Sequence, residues 1–213
     1  MKNDQLTFIN KEEIDYSNIP LSVIGENVLE VGVSTRIVNS HLWSKIKQGR
    51  YTGIDVVNRV KDTDLNIIVH DVCTYDFKDE KFDTIISVQT FEHINLWDWP
   101  EVFRKLKSIL LPGGKLIIVL PHNEKSNKRR DGAQQFPQCL TLHDRFQQHL
   151  VFGINRKMLE HFLPGAHIYR KTRFIFRQDG CSLVWGVLRF IKRLAFGGFY
   201  PIRRNIYAIW SKN

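Results

Sequence analysis

Residues 27–36 read Asn27-Val28-Leu29-Glu30-Val31-Gly32-Val33-Ser34-Thr35-Arg36. An apolar run of strand length, carrying one acid, stops at a glycine and gives way to small polar residues. Glycine at such a point lets the backbone turn, and approach a ligand, where a Cβ would collide. Val38, Leu42 and Ile46 follow at spacing four, one face of an expected helix, with Gly49 as its stop. This is the reading of a buried strand that turns directly into a helix.

The same alternation continues outward. Tyr51 to Asp55 is a second short strand ending in an acid, Asn66 to Asp71 a third ending likewise, and Phe82 to Gln89 a fourth. Asp98-Trp99-Pro100-Glu101 opens a helix with an expected N-cap acid and a proline in its first turn. Its stripe is Val102, Phe103, Leu106, Ile109 and Leu110. Pro112-Gly113-Gly114 breaks it, and Lys115 to Leu120 is the fifth strand. Apolar strands alternating with helices give an α/β chain whose doubly wound, mostly parallel sheet is covered on both faces. In such sheets ligands sit at the carboxyl ends of the strands, near the point where strand order reverses.

Later, Asn155 caps a helix carrying Met158, Leu159, Phe162 and Leu163, stopped by Pro164-Gly165. His167 to Phe176 and Asn205 to Trp210 read as two terminal strands. Asn10 and Glu13 have capping-box spacing for a short first helix. The chain is expected to be one domain over 1–213. Its parts are a helical lead-in (1–26), a core (27–121), a polar loop (122–150) and a basic C-terminal part (151–213).

Of the 213 residues, 43% are hydrophobic and 25% charged, a globular balance. Met1 to Ile9 holds no apolar run of signal-peptide length, so a cytoplasmic location is expected. Cys73, Cys139 and Cys181 stand far apart, which argues against a disulfide framework or structural zinc. Residues 1–150 carry 19 Lys/Arg against 20 Asp/Glu, whereas 151–213 carry 12 against 2. All the basic excess is C-terminal, which points either to an anionic partner or to a solvated basic face.

The order of glycine turn, two acidic strand ends, Phe82-Asp83 strand and Leu111-Pro112-Gly113-Gly114 strand resembles the class I S-adenosylmethionine-dependent methyltransferases. Within them it is most similar to the broad group that modifies small molecules, lipids and glycans. The resemblance runs from about Glu26 to Pro121 and resumes from His149 to His167. It implies a Rossmann-like, seven-stranded sheet with an antiparallel last strand, and S-adenosyl-L-methionine as cofactor. It also implies that Gly32 and Ser34 line the cofactor turn and that Glu30 orders it and attracts the methionine ammonium. By the same resemblance Asp55 accepts the ribose hydroxyls, Asp71 and the Val72 amide meet the adenine, and Ser87 to Gln89 lie beside the methionine part. The family usually shows two more glycines, where this sequence has Ser34 and Arg36. Other roles compete: Glu30 as a paired core acid, and Asp55 and Asp71 as turn caps.

A hydroxyl acceptor needs a base, which accelerates transfer about 10²–10⁴-fold. His93, just past the fourth strand, and His122, just past the fifth, are the first candidates; His143 and His149 lie in the loop expected to cover the site. The residues after the fourth strand, Gln89-Thr90-Phe91-Glu92, lack the Pro-Pro-aromatic element of amino-methylating DNA enzymes. No cysteine lies between Cys73 and Cys139 to serve a cytosine-carbon methylase. Acids for a metal site do not assemble. The expectation is therefore an O-methyltransferase acting on a sugar, a cell-surface glycan precursor or another small hydroxylated acceptor. The alternative is a non-catalytic module that kept the fold.

Leu183 to Phe196 combines Trp185, Leu188, Phe190 and Ile191 with Arg189, Lys192 and Arg193. A helix of that kind either packs on its own domain or, with the basic residues up to Arg204, lies on an anionic membrane surface.

Overall fold

The computed structural model describes residues 16–34, 36–58, 60, 65–121, 154–173 and 203–213. Seven strands form one sheet: β1 (Asn27–Val31), β2 (Arg50–Asp55), β3 (Asn66–Val69), β4 (Phe82–Val88), β5 (Leu110–Pro121), β6 (His167–Arg173) and β7 (Arg203–Ser211). Their order is β3-β2-β1-β4-β5-β7-β6. The first five are parallel, and β7 runs antiparallel to both of its neighbours. This is the Rossmann-like sheet with its antiparallel last strand.

Side chains alternate across a strand, so each strand feeds both faces. Leu29, Val31, Ile85, Leu116 and Ile118 pack on one face with α2 (Trp99–Ile109) and α3 (Arg156–Phe162). Val28, Ile86, Val88, Ile117 and Val119 pack on the other with Tyr16, Ile19, Leu42 and Ile46. α2 buries Trp99, Val102, Phe103, Leu106 and Ile109, each contributing about 1.5–3 kcal/mol by leaving water. Phe103 stacks on Phe91 at 4.7 Å and on Phe162 at 5.3 Å between ring centroids. The turn after β4 is thereby clamped to α2, which in turn stacks on α3.

Several boundaries differ from the sequence reading. The helix expected after the glycine turn shrinks to α1 (Trp43–Ile46). Ahead of it run successive three-residue turns, with Ile37 N–H on Ser34 O, Ser40 N–H on Ile37 O and Trp43 N–H on Ser40 O. Serine chemistry explains this: Ser40 Oγ takes the Ile37 carbonyl at 2.7 Å and Ser34 Oγ accepts Arg36 N–H at 3.2 Å, both competing with helical bonds. Leu42 and Ile46 are still buried as the stripe required.

Asp98 does not cap α2 through its side chain; it already has helical angles, because coiling begins in the preceding turn with Asp98 N–H on Asn95 O. β3 ends at Val69, two residues short of the expected acid. β5 starts at Leu110, paired with Phe82, and the register jumps so that Thr84 faces Lys115. The bulge between them turns at Gly113, whose φ of +77° suits glycine. Asn155 caps α3 as expected, accepting Met158 N–H at 3.1 Å.

The expected first helix at Asn10 to Glu13, the 122–150 loop with His122, His143 and His149, and the Leu183–Phe196 segment lie outside the described residues. Among the described residues no helix is long and apolar enough to cross a membrane.

Candidate functional site

Parallel strands β1 to β5 bring their carboxyl ends to one edge of the sheet. From β1 the chain moves out to β2 and β3, then returns to β4 on the other side, so order reverses between β1 and β4. Gly32, Asp55 and Gln89 stand at three of these ends, and Asp71 follows shortly after a fourth.

Gly32 has φ +80° and donates its N–H to Ile54 O at 2.8 Å. A Cβ here would overlap the Thr90 side chain. The ends of β1 and β4 thus meet Gly32 against Thr90, a contact only glycine permits. Ser34, where the resemblance expects a second glycine, caps the turn onto Arg36 N–H. Arg36 is exposed.

Glu30 is fully buried on the β1 face that looks toward Tyr16. Its two carboxylate oxygens accept the phenols of Tyr16 and Tyr51. Burial pushes its pKa up to about 8, against the pull of those two phenols, and nearby Asp55 adds to the rise. The backbone of Ser34 also bonds to it. Glu30 therefore orders the turn from below, and both of its oxygens face phenols.

Asp55 closes β2, half-buried; its Oδ1 accepts Val57 N–H at 3.1 Å and its carbonyl accepts His70 N–H at 2.9 Å. Asp71 is exposed, and its Oδ1 accepts Cys73 N–H at 2.8 Å. Its carbonyl accepts Thr74 N–H and Tyr75 N–H. Both acids cap turns, as their competing reading held, and both do so at the sheet edge. Val72 is buried in the core.

Around its carboxyl end β4 supplies two polar groups that the described residues leave without a hydrogen-bond partner. Ser87 sits within the strand between Val31 and Ile118, its hydroxyl buried. Gln89, just past the strand, holds φ +54° and donates its backbone N–H to Val119 O at 2.8 Å, while its Nε2 is buried. A non-glycine residue at positive φ costs of order 1–3 kcal/mol and clusters at ligand sites. Buried donors without partners call for a ligand or water. These features fit a polar ligand in the β1/β4 crevice.

His93 ends a single 3₁₀ turn, Phe91–His93, and is half-buried. The Trp99 indole N–H holds that turn through Phe91 O at 3.1 Å and Ile94 O at 3.2 Å. Cys73, a free thiol, is pushed up to about 12 by burial and by Asp71, so it is no nucleophile at neutral pH. No group of His, Cys, Asp or Glu suited to a metal occurs among the described residues.

Tyr16, Tyr51, Thr90 and Lys105 were not singled out by sequence reasoning. Gly53 pairs with Glu30 across β1 and β2, which clears space for the Tyr51 phenol two residues back on the same face. That register is invisible in one sequence. Lys105 gives no signal, since a lysine on a helix flank reads as a solvated charge.

Residues 11–166 match a family model described as a methyltransferase domain. Over 126 residues the chain is 26% identical to tuberculostearic acid methyltransferase UfaA1 of Mycobacterium tuberculosis, covering 53% of this chain and 29% of that protein. The chain thus spans less than a third of that relative's length. Among solved structures it is similar to coclaurine N-methyltransferase bound to N-methylheliamine and S-adenosylhomocysteine, with TM-score 0.56 and 13% identity over 89% of this chain and 68% of that one. It is also similar to N-methyltransferase NodS of Bradyrhizobium japonicum WM9, with TM-score 0.52 and 14% identity over 90% and 88% of the two chains. At these identities the structural likeness speaks for the fold.

Proposed function

The chain belongs to the methyltransferase-domain family, and we propose that it is an S-adenosylmethionine-dependent methyltransferase whose acceptor is a small hydroxylated molecule, a sugar or glycan precursor, methylated on oxygen. The observation that carries the cofactor half is the Gly32–Thr90 contact at the β1/β4 crevice, flanked by Asp55 and by the buried Gln89 amide. In this reading Gly32, Ser34, Ser87 and Gln89 hold the methionine part, Asp55 the ribose, and Asp71 with Val72 the adenine. Glu30 acts through the turn it orders.

When bound, S-adenosylmethionine supplies a methyl group on a cationic sulfur, open to in-line displacement. The protein's task is then alignment, worth roughly 7–11 kcal/mol. His93 takes the acceptor's proton as its oxygen gains the methyl group, with His122 the second candidate. His93 is half-buried just past β4, and the inert Cys73 favours a heteroatom acceptor over carbon methylation through a thiol. Incubating the protein with methyl-labelled cofactor and cell extract, then identifying the labelled product, tests this. A new methyl ether supports the reading; an N-methyl or C-methyl product replaces it.

The acceptor is also proposed to be membrane-proximal, reached through the basic, apolar 183–204 segment. Support comes from composition and from a relative named for a fatty acid. Flotation with anionic liposomes at low salt should carry the chain upward and neutral liposomes should not. A chain that stays behind in both has its segment packed on itself.

A further inference from the structure

Lys105 belongs to α2, yet its ammonium reaches the loop that follows β3. It donates to Val72 O at 3.1 Å, Cys73 O at 2.8 Å and Tyr75 O at 2.9 Å. An ammonium has three protons, so this single loop absorbs its whole donor set. Bonds from a charged donor are roughly twice as strong as neutral ones. Val72 is buried, and Cys73 and Tyr75 pack against the core, which fixes where the loop lies. Lys105 fixes how its peptides are rotated.

That rotation matters because every peptide here is trans, so each N–H points opposite to the carbonyl of the residue before it. The Asp71 carbonyl is turned into the loop, onto Thr74 N–H and Tyr75 N–H, so the Val72 N–H faces out of it. With the next carbonyls gathered onto one cation, the Val72 amide and the Asp71 carboxylate are presented together at the sheet edge.

We propose that Lys105 is a positioning residue for purine recognition, holding the Asp71–Val72 pair in the orientation that distinguishes a 6-aminopurine from a 6-oxopurine. The proposal rests on the reading of Asp71 and Val72 as the adenine end of the cofactor site. The donor–acceptor logic is direct: the carboxylate accepts from the amino group and the amide donates to the adjacent ring nitrogen. A 6-oxopurine presents an acceptor and a protonated nitrogen at the same two places.

Calorimetry with S-adenosylhomocysteine and S-inosylhomocysteine tests it, using wild type, Asp71→Asn, Lys105→Met and Lys105→Gln. Asp71→Asn keeps an acceptor for Cys73 N–H while losing the carboxylate. Wild type should prefer the adenosyl ligand by about tenfold or more, and Asp71→Asn should lose that preference. Lys105→Met should lower it severalfold by weakening the adenosyl ligand alone, with Lys105→Gln in between. A merely structural lysine would weaken both ligands equally and leave the ratio intact. Retention of the wild-type ratio in Lys105→Met, or in Lys105→Gln if the methionine variant does not fold, overturns the proposal when Asp71→Asn has lost it. If Asp71→Asn also keeps the ratio, the adenine reading of the loop fails and the proposal falls with it.

Discussion

The Tyr16 phenol donates to Glu30, joining the segment ahead of β1 to the strand that carries the glycine turn. Tyr51 donates to the other oxygen from β2, so one buried carboxyl ties three pieces of chain together. Its pKa of about 8, raised from 4.5 by burial, gives the cluster a pH dependence. The folded state binds the Glu30 proton more tightly than the unfolded state does. The contribution of Glu30 to stability is therefore complete below about pH 4.5 and declines as pH rises toward about 8. Glu30→Gln, which stays neutral, should flatten this slope. Melting curves between pH 5 and 9 should show the variant gaining on wild type as pH rises; parallel curves would show that Glu30 does not titrate there.

Gly32→Ala should destabilise for two separable reasons. The φ of +80° costs a side chain about 1–2 kcal/mol, and the new methyl meets Thr90. Adding Thr90→Gly removes every Thr90 side-chain atom that the new methyl meets and leaves the first. Thermal melts of the single and double variants should show partial recovery; complete recovery would mean that the backbone angle carries no cost.

Replacing His93 by Ala should cut turnover on an identified hydroxyl acceptor at least about tenfold, with cofactor affinity little changed. A variant with wild-type turnover would place the base elsewhere, with His122 the next residue to replace.

Trp99 buries its indole and holds the carbonyls of Phe91 and Ile94. Trp99→Phe keeps an aromatic ring but strands the Ile94 carbonyl, while Phe91 O still accepts Ile94 N–H at 3.0 Å, so denaturant unfolding should report a loss of about 1–3 kcal/mol. A change within error would mean that water takes over the bond to Ile94 O.

The sheet was legible because each of its determinants is local. Strand runs and the acid closing β2 follow from short-range patterns, and the late helix cap at Asn155 did too, whereas Pro112-Gly113-Gly114 falls inside β5 and Asp71 lies two residues past β3. Where local chemistry competes, reading failed: Ser34 and Ser40 broke the helix that Val38, Leu42 and Ile46 had suggested. At the site, the acidic strand ends were visible in sequence, but their partners were not. Glu30 meets Tyr16 and Tyr51 through parallel register and the packing of the preceding segment, and Lys105 meets its carbonyls through the docking of α2. Neither depends on spacing along the chain.

In the proposed function S-adenosylmethionine binds at the sheet edge beside Gly32 and Asp55. Asp55→Asn separates the turn role from the ligand role, since the amide oxygen still accepts Val57 N–H while the carboxylate is lost. Calorimetric titration of S-adenosylhomocysteine should give saturable binding to wild type. Binding to Asp55→Asn should be about tenfold or more weaker, with an unchanged ligand-free melting temperature. No heat from S-adenosylmethionine or S-adenosylhomocysteine, or equal affinity in the two proteins, would contradict the account.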